Sequence, residues 1–185
     1  METALHVVRD EQPEAAAAPR GSSTLREVIL GAQDNLINVL ATVLGVAIGS
    51  GSVRIVAMAG LASGIAEAIS MGEVLYTSTC AERDLLERSG DAGDRARVRD
   101  PLTAAIVTFA AALVAAAIPL APFIVLPIHS ATVAAGVLSV VALFGLGGYK
   151  AGVTRRPWWR DGLQFIAIGG LAALASALIG AALRA

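Results

Sequence analysis

The chain has 185 residues, 56% of them hydrophobic, and a formal net charge of −1, with a mean hydropathy of +0.69. Such apolar content is too high for a soluble domain and points to a multi-span helical membrane protein. The charge balance leaves no basic footprint for nucleic acid, and the single cysteine, Cys80, excludes an intrachain disulfide.

Residues 1–24 form a polar, Ala- and Pro-containing tail of mixed charge. It has no basic segment followed by an apolar one, so it does not read as a cleaved signal peptide. Its composition predicts a disordered tail. Residues 25–185 read as one all-α transmembrane domain with five spans, each about 20 residues, the length that crosses hydrocarbon. The first span covers about 28–48 and the second about 53–76, joined by the tight turn Gly49-Ser50-Gly51-Ser52. A charged loop follows, with eleven ionisable residues over 82–100, acids and arginines interleaved. Glu82 to Arg88 is expected to carry the second helix on into water, with Gly90 and Gly93 breaking it. Pro101 opens a third helix at a position where a missing N–H does no harm. From Leu102 to Tyr149 there is no Asp, Glu, Lys or Arg, room for spans at about 102–126 and 130–149. Pro119, Pro122, Pro127, His129 and Ser130 mark the turn between them. Lys150 to Asp161 is a basic loop, and the fifth span covers about 162–183.

Five spans put the termini on opposite sides of the bilayer. With the N-terminus in the cytosol, inner segments hold twelve basic residues and outer segments only Arg54 and Arg184. The positive-inside rule therefore predicts a cytosolic N-terminus, a cytosolic 82–100 loop and an exported C-terminus. Trp158 and Trp159 then fall at the inner interface as belt aromatics. Gly45-x-x-x-Gly49, Gly60-x-x-x-Gly64 and the small residues Ala173, Ser176, Ala177 and Gly180 predict close helix contacts.

The chemistry gathers in the first two spans. GAQDNLIN, Gly31 to Asn38, carries Asp34 into hydrocarbon, at a cost of at least about 2.5 kcal/mol on insertion scales. Helical spacing lines up Gly31, Asp34/Asn35, Asn38, Thr42 and Gly45 on one side of this span. In the second span Ser63, Glu67 and Met71 repeat every four residues, with Ser70 beside them. Depths reckoned from the cytosolic ends set Asp34 level with Met71, and Glu67 one turn, about 5.4 Å, deeper. Carboxylates, amide oxygens and a thioether at neighbouring heights suit Fe²⁺ or Mn²⁺ better than Mg²⁺ or Ca²⁺. Glu73 lies on another face near the interface, where it can either join the metal route or reach lipid headgroups. A buried carboxylate can also trade a proton for a cation, which makes Asp34 and Glu67 the candidates for proton coupling.

Gly31-x-x-Asp34, the second-span segment AGLASGIAEAISMGEVLY (Ala59 to Tyr76) and the Asp100-Pro101 start of an apolar pair resemble the vacuolar iron transporter family. That family includes bacterial iron and manganese transporters. The resemblance covers about residues 25–183. It implies a five-helix homodimer with the metal path between protomers, metal/proton exchange out of the cytosol, and Asp34 and Met71 as ligands of the path. The expectation is a multi-pass protein of a bacterial cytoplasmic membrane. The chain departs from the family pattern at Asn35, where a Gly is common, and at Glu67, where many members are small. It also has only the short 82–100 loop where plant-type members insert a Glu-rich metal-binding domain.

The sequence thus predicts a transporter of Fe²⁺ or Mn²⁺, a proton antiporter exporting metal from the cytosol. Its expected partners are metal ions, protons, lipid and a second copy of itself, with no bound cofactor and no enzymatic activity. A passive divalent-cation channel of the same fold, or a structural membrane protein whose polar stripes only join helices, are the alternatives.

Overall fold

The computed structural model describes residues 20–88, 98–154 and 157–184, all but the short connections in helices. The elements are α1 (Arg20–Ser50), α2 (Val53–Arg88), α3 (Pro101–Leu120), α4 (Pro122–Val125), α5 (Ile128–Thr154) and α6 (Trp158–Arg184). Among the described residues, five helices are long and apolar enough to cross a membrane. Most of the tail expected to be disordered, and the break expected at Gly90 and Gly93, lie outside the described residues. Helix α1 starts at Arg20, inside the segment expected to be tail, and α2 runs unbroken through Glu82 to Arg88.

Local chemistry accounts for the helix ends. Helix α1 stops at Gly51, whose φ of 62° few other residues tolerate; its N–H still reaches Ala47 O at 3.0 Å. Asp100 caps α3 by accepting from the Thr103 amide and hydroxyl, both at 3.0 Å, with Pro101 next in line. The predicted third span is divided: α3 ends at Leu120 and α4 forms a separate turn from Pro122. Pro122 has no N–H to continue the ladder, and Leu126, extended before Pro127, completes the break.

Helix α1 is the hub. It packs on α2, α3, α5 and α6, and half of its apolar window is buried against 11% for α6 on the rim. Two clusters fill the bundle. Ala32, Leu36, Ile37, Ala115, Leu143 and Phe165 pack near the end where α1 begins. Val39, Val43, Val56, Leu120 and Phe123 lead the cluster at the other end. The small-residue stripes are used for contact. A Cβ on Gly180 would strike the Gly45 carbonyl, and one on Gly45 would strike Ser176. Gly60 and Gly64 likewise receive Val43 and Val39 of α1.

The helix ends on the same side of the bundle as the 82–100 loop, here the loop side, carry the ion pairs found among the described residues. Arg99 holds Glu27 at 2.9 Å, Lys150 faces the buried Asp161 at 3.6 Å, and Arg83 approaches Asp100 at 4.0 Å.

Two expectations follow. Gly180→Val should loosen α1 from α6 and lower the melting temperature in detergent, whereas Gly170→Val, with open space around it, should change it little. The Thr103 amide, aided by its hydroxyl and by Arg83, holds the Asp100 carboxyl below the usual carboxylate range. Its stabilising contribution is therefore full above the unfolded value and is lost as pH falls below about 4. In thermal melts between pH 5 and 3, Asp100→Ala should show a weaker acid dependence than the parent.

Candidate functional site

Consecutive residues on a helix point about 100° apart, and α1 uses this to separate two polar side chains. Asn35 turns inward and is fully buried, while Asp34 turns to the outside of the bundle. The Asn35 amide donates to Gly64 O of α2 at 2.9 Å and to Ala112 O of α3 at 3.0 Å. This tie between three helices holds α1 against rotation about its axis, and so keeps Asp34 facing out.

Glu67 of α2 meets Asp34 there. Its half-buried carboxyl is near enough to interact with both the Asp34 carboxyl and the Asn38 amide, so the two acids neighbour one another across the α1–α2 seam. One turn further on, Thr42 and Ser63 bring their hydroxyls to 3.5 Å. Met71, half-buried, sits one turn from Glu67 toward the loop side. Glu73 is exposed, and its backbone carbonyl accepts the Thr77 hydroxyl at 3.0 Å. The structure thus brings Asp34, Asn38 and Glu67 together, sets Met71 next along α2, and gives Glu73 no contact with them.

Two carboxylates, an amide and two hydroxyls along the α1–α2 seam make a ladder of oxygen donors suited to a hard or borderline divalent cation. Among the described residues, no three His, Cys, Asp or Glu side chains converge on one point. One chain therefore offers this cluster fewer ligands than the six or so that Fe²⁺ or Mn²⁺ takes in octahedral sites. The surface around it is open: Asp34, Ser70 and Val74 are all exposed.

Two features escape a reading of the sequence. Asn35 looks like one more member of the polar stripe, and only the packing shows that it faces away from Asp34. Glu27 attracts no notice because it stands at the start of the span beside other charges. Its spacing of seven residues from Asp34, close to two full turns, is the signal that could have found it.

Comparison with known proteins gives a consistent result. The profile of the VIT family matches residues 25–92 and 87–181. The protein called vacuolar iron transporter homolog 5, from Oryza sativa subsp. japonica, is 34% identical over 154 residues, covering 78% of this chain and 72% of that protein.

The buried tie predicts a stability effect separable from the carboxylates. Asn35→Asp removes the donors and buries a charge, so unfolding in mixed micelles should become easier by roughly 3 kcal/mol. Asn35→Gln, which keeps the amide, should recover part of the loss.

Proposed function

The chain belongs to the VIT family and is a multi-pass membrane metal transporter, and we propose that it carries Fe²⁺ or Mn²⁺ out of the cytosol in exchange for protons. The observation that carries this reading is the nearness of Asp34 and Glu67 on the outer face of the α1–α2 seam. Two neighbouring acids within membrane spans have little reason to be there as packing. Each is costly to insert, and together they repel when both are ionised. A divalent cation between them removes both penalties, and protons do so when the cation has left. The same pair can therefore alternate between cargo and protons.

Asp34 and Met71 are the principal ligands, with Asn38 and Glu67 completing the set. Asp34 and Glu67 carry the protons. Glu73, exposed one turn or less beyond Met71, is a peripheral ligand. The thioether of Met71 favours the softer transition metals over Mg²⁺ and Ca²⁺. The cluster is short of ligands and lies on an exposed face, which fits a two-fold homodimer in which each protomer completes the other's site. The excess of basic residues on the loop side fits a cytosolic N-terminus in a bacterial cytoplasmic membrane.

The test is metal uptake by proteoliposomes across a set pH gradient, comparing Fe²⁺, Mn²⁺, Co²⁺ and Zn²⁺. Asp34→Asn should fold and fail to transport. Met71→Leu, close in volume, should transport with selectivity shifted away from the softer metals. Glu67→Gln should slow release or uncouple flux from pH. Wild-type flux in Asp34→Asn would overturn the reading, and flux indifferent to the gradient would make the protein a channel.

Topology and assembly have their own checks. In a Cys80→Ser background, Gly51→Cys should label from outside sealed cells and Ala92→Cys should not. Ser70→Cys, exposed beside the carboxylates, should cross-link protomers in membranes.

A further inference from the structure

Glu27 opens the membrane-crossing part of α1 and is only 5% exposed. It precedes Asp34 by seven residues, which on an α-helix means nearly the same direction and about 10 Å along the axis. Between them on that stripe stands Gly31, which packs on the Thr108 carbonyl and presents no side chain. From the loop side inward the stripe thus reads acid, bare backbone, acid, amide: Glu27, Gly31, Asp34, Asn38.

Glu27 Oε2 accepts from Arg99 Nη1 at 2.9 Å, and the two partners differ in access, with side-chain exposures of 6% for Glu27 and 28% for Arg99. The acid is fixed in the bundle, and the arginine reaches it from the connection just before α3. The start of α3 has anchors of its own in the Asp100 cap and in Arg83, so holding α3 in place does not by itself require a buried acid at this point.

We propose that Glu27 is the first carboxylate a divalent cation meets from the loop side, and that Arg99 is its displaceable counter-ion. This rests on the reading of Asp34 and Glu67 as the cation path. With no cation present, Arg99 keeps the buried carboxylate paired. A divalent cation carries twice the charge of a guanidinium and binds the carboxylate oxygens directly, so it can take the place of Arg99. The freed arginine swings toward water next to the exposed Asp100. Glu27 is partnered before and after, and no step leaves a bare charge in the bundle. Asp34 is the next carboxylate along α1, two turns of helix further from the loop side.

The test is initial Mn²⁺ uptake in proteoliposomes, separating KM from maximal rate, with melting temperature measured in parallel. Glu27→Gln should raise KM about tenfold, the loss of one charged ligand, with the maximal rate nearly unchanged. Arg99→Gln should lower KM and also the maximal rate, because the unopposed carboxylate holds the cation. The exchanged pair, Glu27→Arg with Arg99→Glu, should regain the parent melting temperature and keep a raised KM. A purely architectural pair gives the opposite result, since restoring the ion pair would restore KM as well. Parent KM in the exchanged pair or in Glu27→Gln, alongside an inactive Asp34→Asn, overturns this inference alone. Parent flux in Asp34→Asn overturns the path itself and this inference with it.

Discussion

The side-chain amide of Asn35 is the constraint on which the arrangement depends. It is fully buried and donates to a carbonyl on each of two neighbouring helices. Each bond contributes about 1 kcal/mol net, but their larger effect is geometric. A helix in a bilayer can turn about its axis unless specific contacts fix it. Two donors fixed to two acceptors remove that freedom. Because Asp34 is the adjacent residue, fixing Asn35 inward fixes Asp34 outward, where Glu67 can reach it. A residue inside the bundle thereby sets where the carboxylates of the seam stand.

Small residues do the complementary work. Where Gly45 and Gly180 meet, α1 and α6 approach backbone to backbone. The hub is thus held by close packing and by the amide, while the surface at Asp34 stays open. The ion pairs found among the described residues stand at the loop side, with the acids of two of them, Glu27 and Asp161, buried. The membrane-buried part of the bundle therefore depends on packing and one polar tie, while charge is left to the mouth and to the seam.

Much of this was legible in the sequence, and what was not has a physical cause. The long charge-free run from Leu102 to Tyr149 and the Gly-rich turns marked out the spans, because insertion into hydrocarbon is a property of a segment and can be summed along it. The spacing of Gly45, Gly49 and Gly180 foretold close contact, since only small side chains permit it. The α3–α4 break was blurred into one span because three prolines lie within nine residues, Pro119 to Pro127, and composition does not say which one interrupts the helix. Asn35 and Glu27 were harder still. Their partners are 29 and 72 residues away in sequence, and no local pattern encodes which carbonyl or guanidinium will arrive.

Helix α2 has a consequence of a different kind. Its 36 residues amount to about 54 Å at 1.5 Å per residue, well beyond the 30 Å or so of hydrocarbon. The excess stands clear of the membrane on the loop side as a stiff mast, continuous with the segment that holds Glu67 and Met71. An architecture of this kind is open to evolutionary grafting. Extra sequence added beyond Arg88 would extend a rod already in water and return to a helix start capped by its own Asp100. A new module could be gained or lost there without any change to the residues that face lipid.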